Sequence, residues 1–432
     1  FSTYYWPRCK ILSSSMLIPG EIPKKEPTIR VGIVIPQDKI KETHILLSDT
    51  ESYEMETDKK HYPSCKNERK ISIILKDNKL FLTELELETS IISFIPHLSN
   101  DESHITLPNI LAGRGFHWEK KITVKYWGKI EFSIIDGKLI VINELPLEQY
   151  LNCVSTSEMS AMCPSEFLKA QAIVARSWLL ANIEQKHRDL GFDVCNDDCC
   201  QRYQGINNCN SDTISIVNDT YGKVLIFESN ICDARYSKSC GGLTEKYENV
   251  WGGASVPYLT SISDLNSKGV AYCDPEMIPE KSVKRYIGNV DENDEYFRWN
   301  YVIKQEDLIN TIQQTLQIRI SEILELNPLD IGKSGRIIKL GVDYLDTKDE
   351  VQTLSIDSEY EIRNILSKSF LFSSAFTVSK LNGDFLLEGK GWGHGVGLCQ
   401  IGALGMAFSK KKVYDILSHY YPKSTIKTIY KV

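Results

Sequence analysis

The pattern of apolar and polar positions changes period along the chain, and each change marks an element. Residues 1–27, rich in Ser, Pro and Lys, carry no period and predict a tail or linker. A β-branched run from Ile29 to Ile35, stopped by Pro36, predicts the first strand. Short apolar runs at Ile71–Leu75 and Leu80–Leu82, set off by Lys-Asp-Asn and Ser-Asn-Asp turns, make residues 28–110 a small β-rich accessory lobe. From Lys121 to Asn143 the pattern predicts a meander of Ile122–Tyr126, Glu131–Ile135 and Leu139–Ile142, with turns at Gly128 and Asp136-Gly137. The period then becomes helical. Pro146 suits a first helical position, followed by Leu147, Leu151 and Val154; Pro164 opens a second helix to about Lys186, with Leu168, Ala172, Ala175, Leu179 and Ile183 on one face. Glu158 falls in the joint between the two helices.

Strand-like runs return at Lys223–Phe227 and Ala234–Tyr236. Residues 275–372 read as an acidic inserted α/β region with a helical stretch at Glu306–Glu325. The chain closes with a strand at Phe385–Glu388, a glycine-rich run and a helix from Ile401. The expected fold class is α+β: a mixed helical and β-rich core in two parts, residues 111–274 and 373–432, forming a two-lobed cleft with accessory lobes.

Composition narrows the function. A net charge of -7 argues against nucleic acid as the main partner, because a polyanion asks for a basic face. Twelve cysteines in 432 residues are too dilute for a disulfide scaffold, yet Cys195, Cys199, Cys200, Cys209 and Cys232 cluster, which points to a local metal or disulfide site. No run of apolar residues is long enough for a transmembrane segment. The chain opens at Phe1, so the expectation is that a signal or anchor has been removed and that the protein works outside the cytoplasm, in the periplasm, in the cell envelope or as a secreted protein.

The most unusual string is the run with Gly391, Gly393, Gly395 and Gly397 at alternate positions. Glycines so spaced strip one face of a strand and let another backbone or a ligand approach. The run lacks the Gly-Lys-Ser/Thr ending of a phosphate loop and the spacing of a dinucleotide turn. His394, flanked by glycines, is expected to face a cleft.

Leu145-Pro146-Leu147-Glu148-Gln149-Tyr150-Leu151, Ser157-Glu158-Met159, Leu168-Lys169-Ala170-Gln171-Ala172 and Ala175-Arg176 occur in that order, followed by Tyr236, Ser239, Gly241-Gly242-Leu243-Thr244-Glu245 and Val250-Trp251-Gly252. Gly393-His394-Gly395-Val396-Gly397-Leu398 with Gln400 and Gly402-Ala403 completes the series. Together these strings resemble the stage II sporulation protein D family (SpoIID/LytB), over roughly residues 121–275 and 376–425. The resemblance implies a lytic transglycosylase that cuts the bond between N-acetylmuramic acid and N-acetylglucosamine in peptidoglycan, leaving a 1,6-anhydro end, with Glu158 as the catalytic acid. The chemistry agrees: a hydrolase wants two carboxylates, whereas attack by the sugar's own 6-hydroxyl lets one carboxyl serve as acid and then as base. Glu148 and Glu166 lie in the first turns of their helices, where a carboxylate suits the dipole, and read as structural.

Arg176 and Ser239 are candidates for holding substrate, together with Gly241, Gly242, His394 and Gln400; Trp251 is placed to stack on a sugar or to fill a core. The segment Asp193–Tyr203 resembles one in which some family members hold zinc. Cys195 and Cys200 match its cysteine positions, while Cys199 stands where relatives often have His. His187 is the candidate nitrogen ligand, with Cys199 replacing or supplementing it; a disulfide among these cysteines is the alternative. Two rival functions stay open: a glycan-binding enhancer of a cell-wall amidase, with other cell-wall hydrolases as partners, and a cysteine hydrolase using Cys399 and His394.

Overall fold

A computed structural model of the chain describes residues 16–48, 53–63, 69–97, 103–116, 118–181, 183–288 and 295–431. Among them strands outweigh helices, and the fold is α+β. Residues 1–15 of the expected tail lie outside the described residues. Residues 16–27 do not behave as a linker: Leu17 is buried, its N–H donates to Asp193, and Glu26 accepts from the backbone of Glu148 and from Tyr221.

The first body holds a seven-stranded and a six-stranded sheet. Thr28–Val34 lies antiparallel to Lys138–Pro146 and parallel to Val194–Cys195, so the expected accessory lobe and the core share one sheet. The boundary expected at residue 110 falls inside the strand Ile105–Ala112. The meander is also divided. Lys120–Tyr126 pairs with Ile105–Ala112 in the six-stranded sheet, whereas Lys129–Ile135 pairs with Lys138–Pro146 in the other. The chain changes sheets at Gly128, where φ is 77° and a Cβ would lie 2.4 Å from the Glu144 carbonyl oxygen. Alternation reports that a segment is a strand and which face is buried; it does not name the neighbour.

Two helices, α1 (Leu147–Glu158) and α2 (Ser165–Ala181), pack on this body, and Leu147, Tyr150, Leu151, Ala172 and Ala175 join its core. The strand Lys223–Phe227 pairs with Thr425–Thr428 and ties the C-terminus to α2. A second core gathers Phe167, Leu168, Leu225, Leu398 and Leu404. A third, around Trp299, Ile323, Leu340, Ile362 and Phe385, belongs to the inserted region. That body holds two three-stranded sheets, and the strand Asp384–Lys390, expected in the core, is the middle strand of one of them. The helical stretch expected to reach Glu325 stops at Leu316: Gln317 turns left-handed with φ 55°, and the alternating residues that follow lead into the strand Glu322–Ile331. No helix among the described residues is long and apolar enough to cross a membrane.

Candidate active site

Glu158 is the last residue of α1, and the helix stops because Met159 turns extended, with φ −137° and ψ 158°. A polar helix end is costly to bury unless its groups are paired. Here Thr156 and Ser157 donate their hydroxyls back to the carbonyls of Asn152 and Cys153, and Ser157 Oγ accepts from the backbone of Gln204. The same Gln201–Gln204 segment donates the Arg202 N–H to Glu158 Oε1 at 2.9 Å. Tyr236 donates its hydroxyl to that oxygen at 2.8 Å, and burial together with the Glu158 charge pushes the phenol far above its usual pKa, so it stays a donor. Among the described residues Glu158 Oε2 meets only Gln400 Nε2, at 3.4 Å, while Gln400 also reaches Gln171. Lys238 donates to the Glu158 carbonyl oxygen at 3.1 Å.

This carboxylate opens onto a cavity of about 1020 Å³. That is at the upper limit of ordinary small-molecule sites, about 300–1,000 Å³, and leaves room for an extended ligand. Three parts of the chain wall it. The first body gives Trp118, Asp198 and Arg202; the middle gives Tyr236, Lys238 and Trp251; the inserted region gives Glu359, Arg363 and Phe370. Phe370 meets Phe116 edge to face at 5.6 Å, so the inserted body touches the first one across the cavity.

The glycine run is not the bare strand expected. Gly391, Gly393, Gly395 and Gly397 all have left-handed φ, between 71° and 87°, so the segment is a series of turns with only Leu398–Cys399 pairing as a strand, to Tyr236–Ser237. The expected close approach is there: a Cβ on Gly397 would lie 2.0 Å from the Arg235 carbonyl oxygen, and one on Gly395 2.3 Å from the Arg336 guanidinium. His394 lines the cavity, edge-on to Trp251 with ring centroids 4.9 Å apart. Burial, then the charges of Arg235, Arg336 and Arg363, drive its pKa well down, so the ring is neutral. Its Nδ1 accepts from the Val396 N–H, which puts the ring proton on Nε2.

Arg176 and Ser239 are placed elsewhere than expected. Arg176 is wholly buried, forks onto Glu148 and also donates to Lys223 O and Thr220 Oγ1; none of this reaches the cavity. Glu148 further accepts from Gly222 and Tyr430, so the pair is a fixed structural network, as Glu148 was expected to be. Glu166 accepts from the backbone of Val413 at the start of the helix Val413–Tyr420. Ser239 is fully buried outside the cavity lining, and Gly241 and Gly242 form the left-handed turn beside it. Cys399 is buried, accepts from the Gly402 N–H and does not line the cavity, which removes it as a nucleophile there.

His187, Cys195, Cys199 and Cys200 come together, each with one donor atom within 4.8 Å of the others. Cys199 and Cys200 line the cavity. The sulfurs of Cys195 and Cys199 are 2.9 Å apart, beyond a disulfide bond of about 2.05 Å.

Asp198 and Arg202 are site residues that sequence reasoning missed. Burial raises the Asp198 carboxyl to about 6 against the pull of Arg202, and the charges of Asp197 and Glu158 push the same way as burial. Arg202 is 6% exposed, lies over the Trp118 ring at 4.3 Å and donates from Nη2 to Asp198, yet its Nε and Nη1 have no partner among the described residues. A charged residue in the Cys200-Gln201-Arg202-Tyr203 string carries no period that would tell burial from exposure.

Fold and site together define an α+β protein with the helix-end carboxylate of Glu158 at the wall of a large cavity. The model of the stage II sporulation protein family matches residues 135–227, which hold α1, α2 and the cysteine cluster, and a domain of unknown function (DUF8618) matches residues 245–397. An uncharacterized protein of Brachyspira hyodysenteriae is 30% identical over 298 residues, covering 69% of this chain and 71% of that protein. The stage II sporulation protein D of Bacillus amyloliquefaciens is 26% identical, covering 65% of this chain and 74% of its own. The amidase enhancer of Bacillus subtilis is 28% identical over 64% of this chain, which spans only 40% of that relative. This chain belongs to the stage II sporulation protein D family.

Proposed function

We propose that the protein acts on the bacterial cell wall, outside the cytoplasm, as a lytic transglycosylase that cuts glycan strands between N-acetylmuramic acid and N-acetylglucosamine. One observation carries this reading: Glu158 sits in the cavity wall with Oε1 held by two donors and Oε2 left with one long contact. In the protonated form, Oε2 donates to the glycosidic oxygen as the C1–O4 bond breaks. The muramic 6-hydroxyl closes on C1, and its proton returns to Glu158. No water enters and no bond to the protein forms, so one carboxyl serves both steps. Arg202 offers its unpartnered nitrogens to an acidic group of the glycan, since a buried donor without a partner is costly until something fills it. Trp118 and Trp251 line the same cavity, each with a guanidinium over its ring, Arg202 at 4.3 Å and Arg235 at 4.5 Å, so they hold those charges in the cavity wall.

His187, Cys195, Cys199 and Cys200 offer the four donors that a closed tetrahedral zinc site takes, and the Cys195 and Cys199 sulfurs, 2.9 Å apart, would have to part by about 1 Å around the ion. Such an ion would fix the Asp193–Tyr203 segment that carries Asp198 and Arg202, and would supply no open position for chemistry.

The test is fragment analysis by mass spectrometry after incubation with purified glycan strands, with and without stem peptides. Anhydro-muramic ends are expected. A Glu158→Gln variant is expected to lose cleavage by about 10²–10⁴-fold while still binding strands. Reducing ends that disappear in Asp198→Asn would instead make Asp198 the second carboxylate of a hydrolase. A second reading, a glycan-binding enhancer of an amidase, is favoured by the relative of that name. It predicts binding without cleavage and faster amide hydrolysis by an added cell-wall amidase.

A further inference from the structure

Away from the cavity lining lies a second cluster of metal-binding side chains. Cys240, Asp264, Cys273 and Cys399 are all buried, and one donor atom from each lies within 4.8 Å of the other three. They come from four separate places: the Ser239–Gly242 turn, the stretch after the Leu243–Ser263 bridge, the far side of the Leu265–Ala271 bridge, and the residue that caps the helix Gln400–Phe408. We propose that these residues form a metal site for zinc or a similar soft divalent ion, distinct from the His187 cluster and structural in role.

The spacing fits. Zn–S bonds of about 2.3 Å at tetrahedral angles set ligand atoms about 3.8 Å apart, slightly less where one ligand is oxygen. Cys240 and Cys273 sulfurs are 3.8 Å apart, and Cys240 Sγ lies 3.3 Å from Asp264 Oδ2. The surroundings fit too. Asp264 turns Oδ2 to the thiols, while Oδ1 is held by the Tyr420 hydroxyl at 2.8 Å and His419 Nε2 at 3.2 Å, the outer support that orients a carboxylate ligand. Backbone N–H groups of Cys240 and Gly402 donate to Cys399 Sγ, and that of Gly242 to Cys240 Sγ, which suits thiolate charge. Gly402 leaves no spare room: a Cβ there would sit 2.5 Å from Asp264 Oδ2.

An ion at this point has a structural task. From Cys232 to Phe297 the described chain holds only two short helices and the two-residue strand Tyr236–Ser237, so little regular hydrogen bonding fixes it. The metal would bind that irregular segment to the helix whose first residue, Gln400, touches Glu158.

Zinc content of the full chain, purified without chelator, is the test. The Cys273→Ser variant is expected to hold one zinc fewer per chain than the wild type, while Cys195→Ser/Cys200→Ser keeps that ion. Asp264→Asn, which preserves shape, is expected to weaken retention against a chelator. If Cys273→Ser does not fold, the wild type is stripped and reloaded with zinc alone: its unfolding transition should fall by several degrees and recover, in the Cys195→Ser/Cys200→Ser background as well. Unchanged zinc content in Cys273→Ser, a Cys240–Cys273 disulfide in the unreduced protein, or a transition indifferent to stripping in that background overturns the assignment.

Discussion

Two arginine–carboxylate pairs lie close in sequence and differ in what they leave unfilled. Arg176 spends Nε and Nη2 on Glu148 and Nη1 on the Lys223 carbonyl, and Glu148 accepts from Gly222 and Tyr430 besides. Among the described residues Arg202 spends only Nη2, on Asp198, and keeps Nε and Nη1 without partners at the cavity wall. Both guanidiniums are buried, so burial does not separate scaffold from site. Completeness does. A closed network has nothing to give a ligand, while an open one holds a desolvated charge whose cost only a ligand can offset.

The contrast is sharpest in opposite substitutions. Arg176→Met strands Glu148 as an uncompensated buried charge, and a loss of about 3–5 kcal/mol is expected from urea unfolding, with glycan affinity of the folded fraction unchanged. Arg202→Met is expected to do the reverse. Its ion pair is already offset by two unsatisfied nitrogens, so stability should stay within about 1 kcal/mol, while affinity for muramic-containing strands falls by about 1.5–3 kcal/mol, or roughly 10–100-fold. Binding is measured by calorimetry with the uncleaving Glu158→Gln chain as background. Equal stability losses in both variants would make Arg202 scaffold like Arg176.

The same contrast shows what the sequence could and could not convey. The joint holding Glu158 was legible because Pro146 and Pro164 open helices on either side of it, with apolar residues at helical spacing. Gln400 was found with the motif that carries it, and the structure sets it against Glu158. Arg176 drew attention for the same reason, its place in a motif on α2, and is walled in by Glu148, Thr220 and Lys223, partners that no local pattern announces. Arg202 went unseen because the number of hydrogen bonds a charged side chain completes is a tertiary fact. The division of the Ile122–Ile142 meander between two sheets failed for a related reason: period 2 fixes faces, and pairing is settled by the rest of the body. The Cys240–Cys399 cluster joins positions in four segments, and no spacing along one segment could reveal it.

Trp118 tests the open pair more gently. Its ring supports the Arg202 guanidinium at 4.3 Å, so Trp118→Leu removes an attraction of about 0.5–2 kcal/mol and lets the arginine wander. A drop in strand affinity of several-fold is expected, smaller than that of Arg202→Met and absent in an Arg202→Met background. Additive losses in the double variant would mean that Trp118 touches sugar on its own account.

The last effect expected is on the pH dependence of stability, and it decides which force governs Asp198. Burial raises its carboxyl from 3.8 to about 6, against the pull of Arg202. A carboxyl that holds its proton more tightly when folded contributes stability that is complete below the unfolded value and is lost as pH rises through the folded one. The stability of the wild type relative to Asp198→Asn should therefore decline between about pH 4 and pH 6 and level off above about pH 7, by about 1–2 kcal/mol once the roughly 3 kcal/mol of a two-unit shift is discounted for a side chain 24% exposed, seen in urea midpoints taken across that range. The opposite slope, with the wild type gaining on Asp198→Asn as pH rises, would mean that the Arg202 pairing outweighs burial. Asp198–Arg202 would then be a settled ion pair of the Glu148–Arg176 kind, and the open nitrogens of Arg202 would no longer mark it as the group that waits for a glycan.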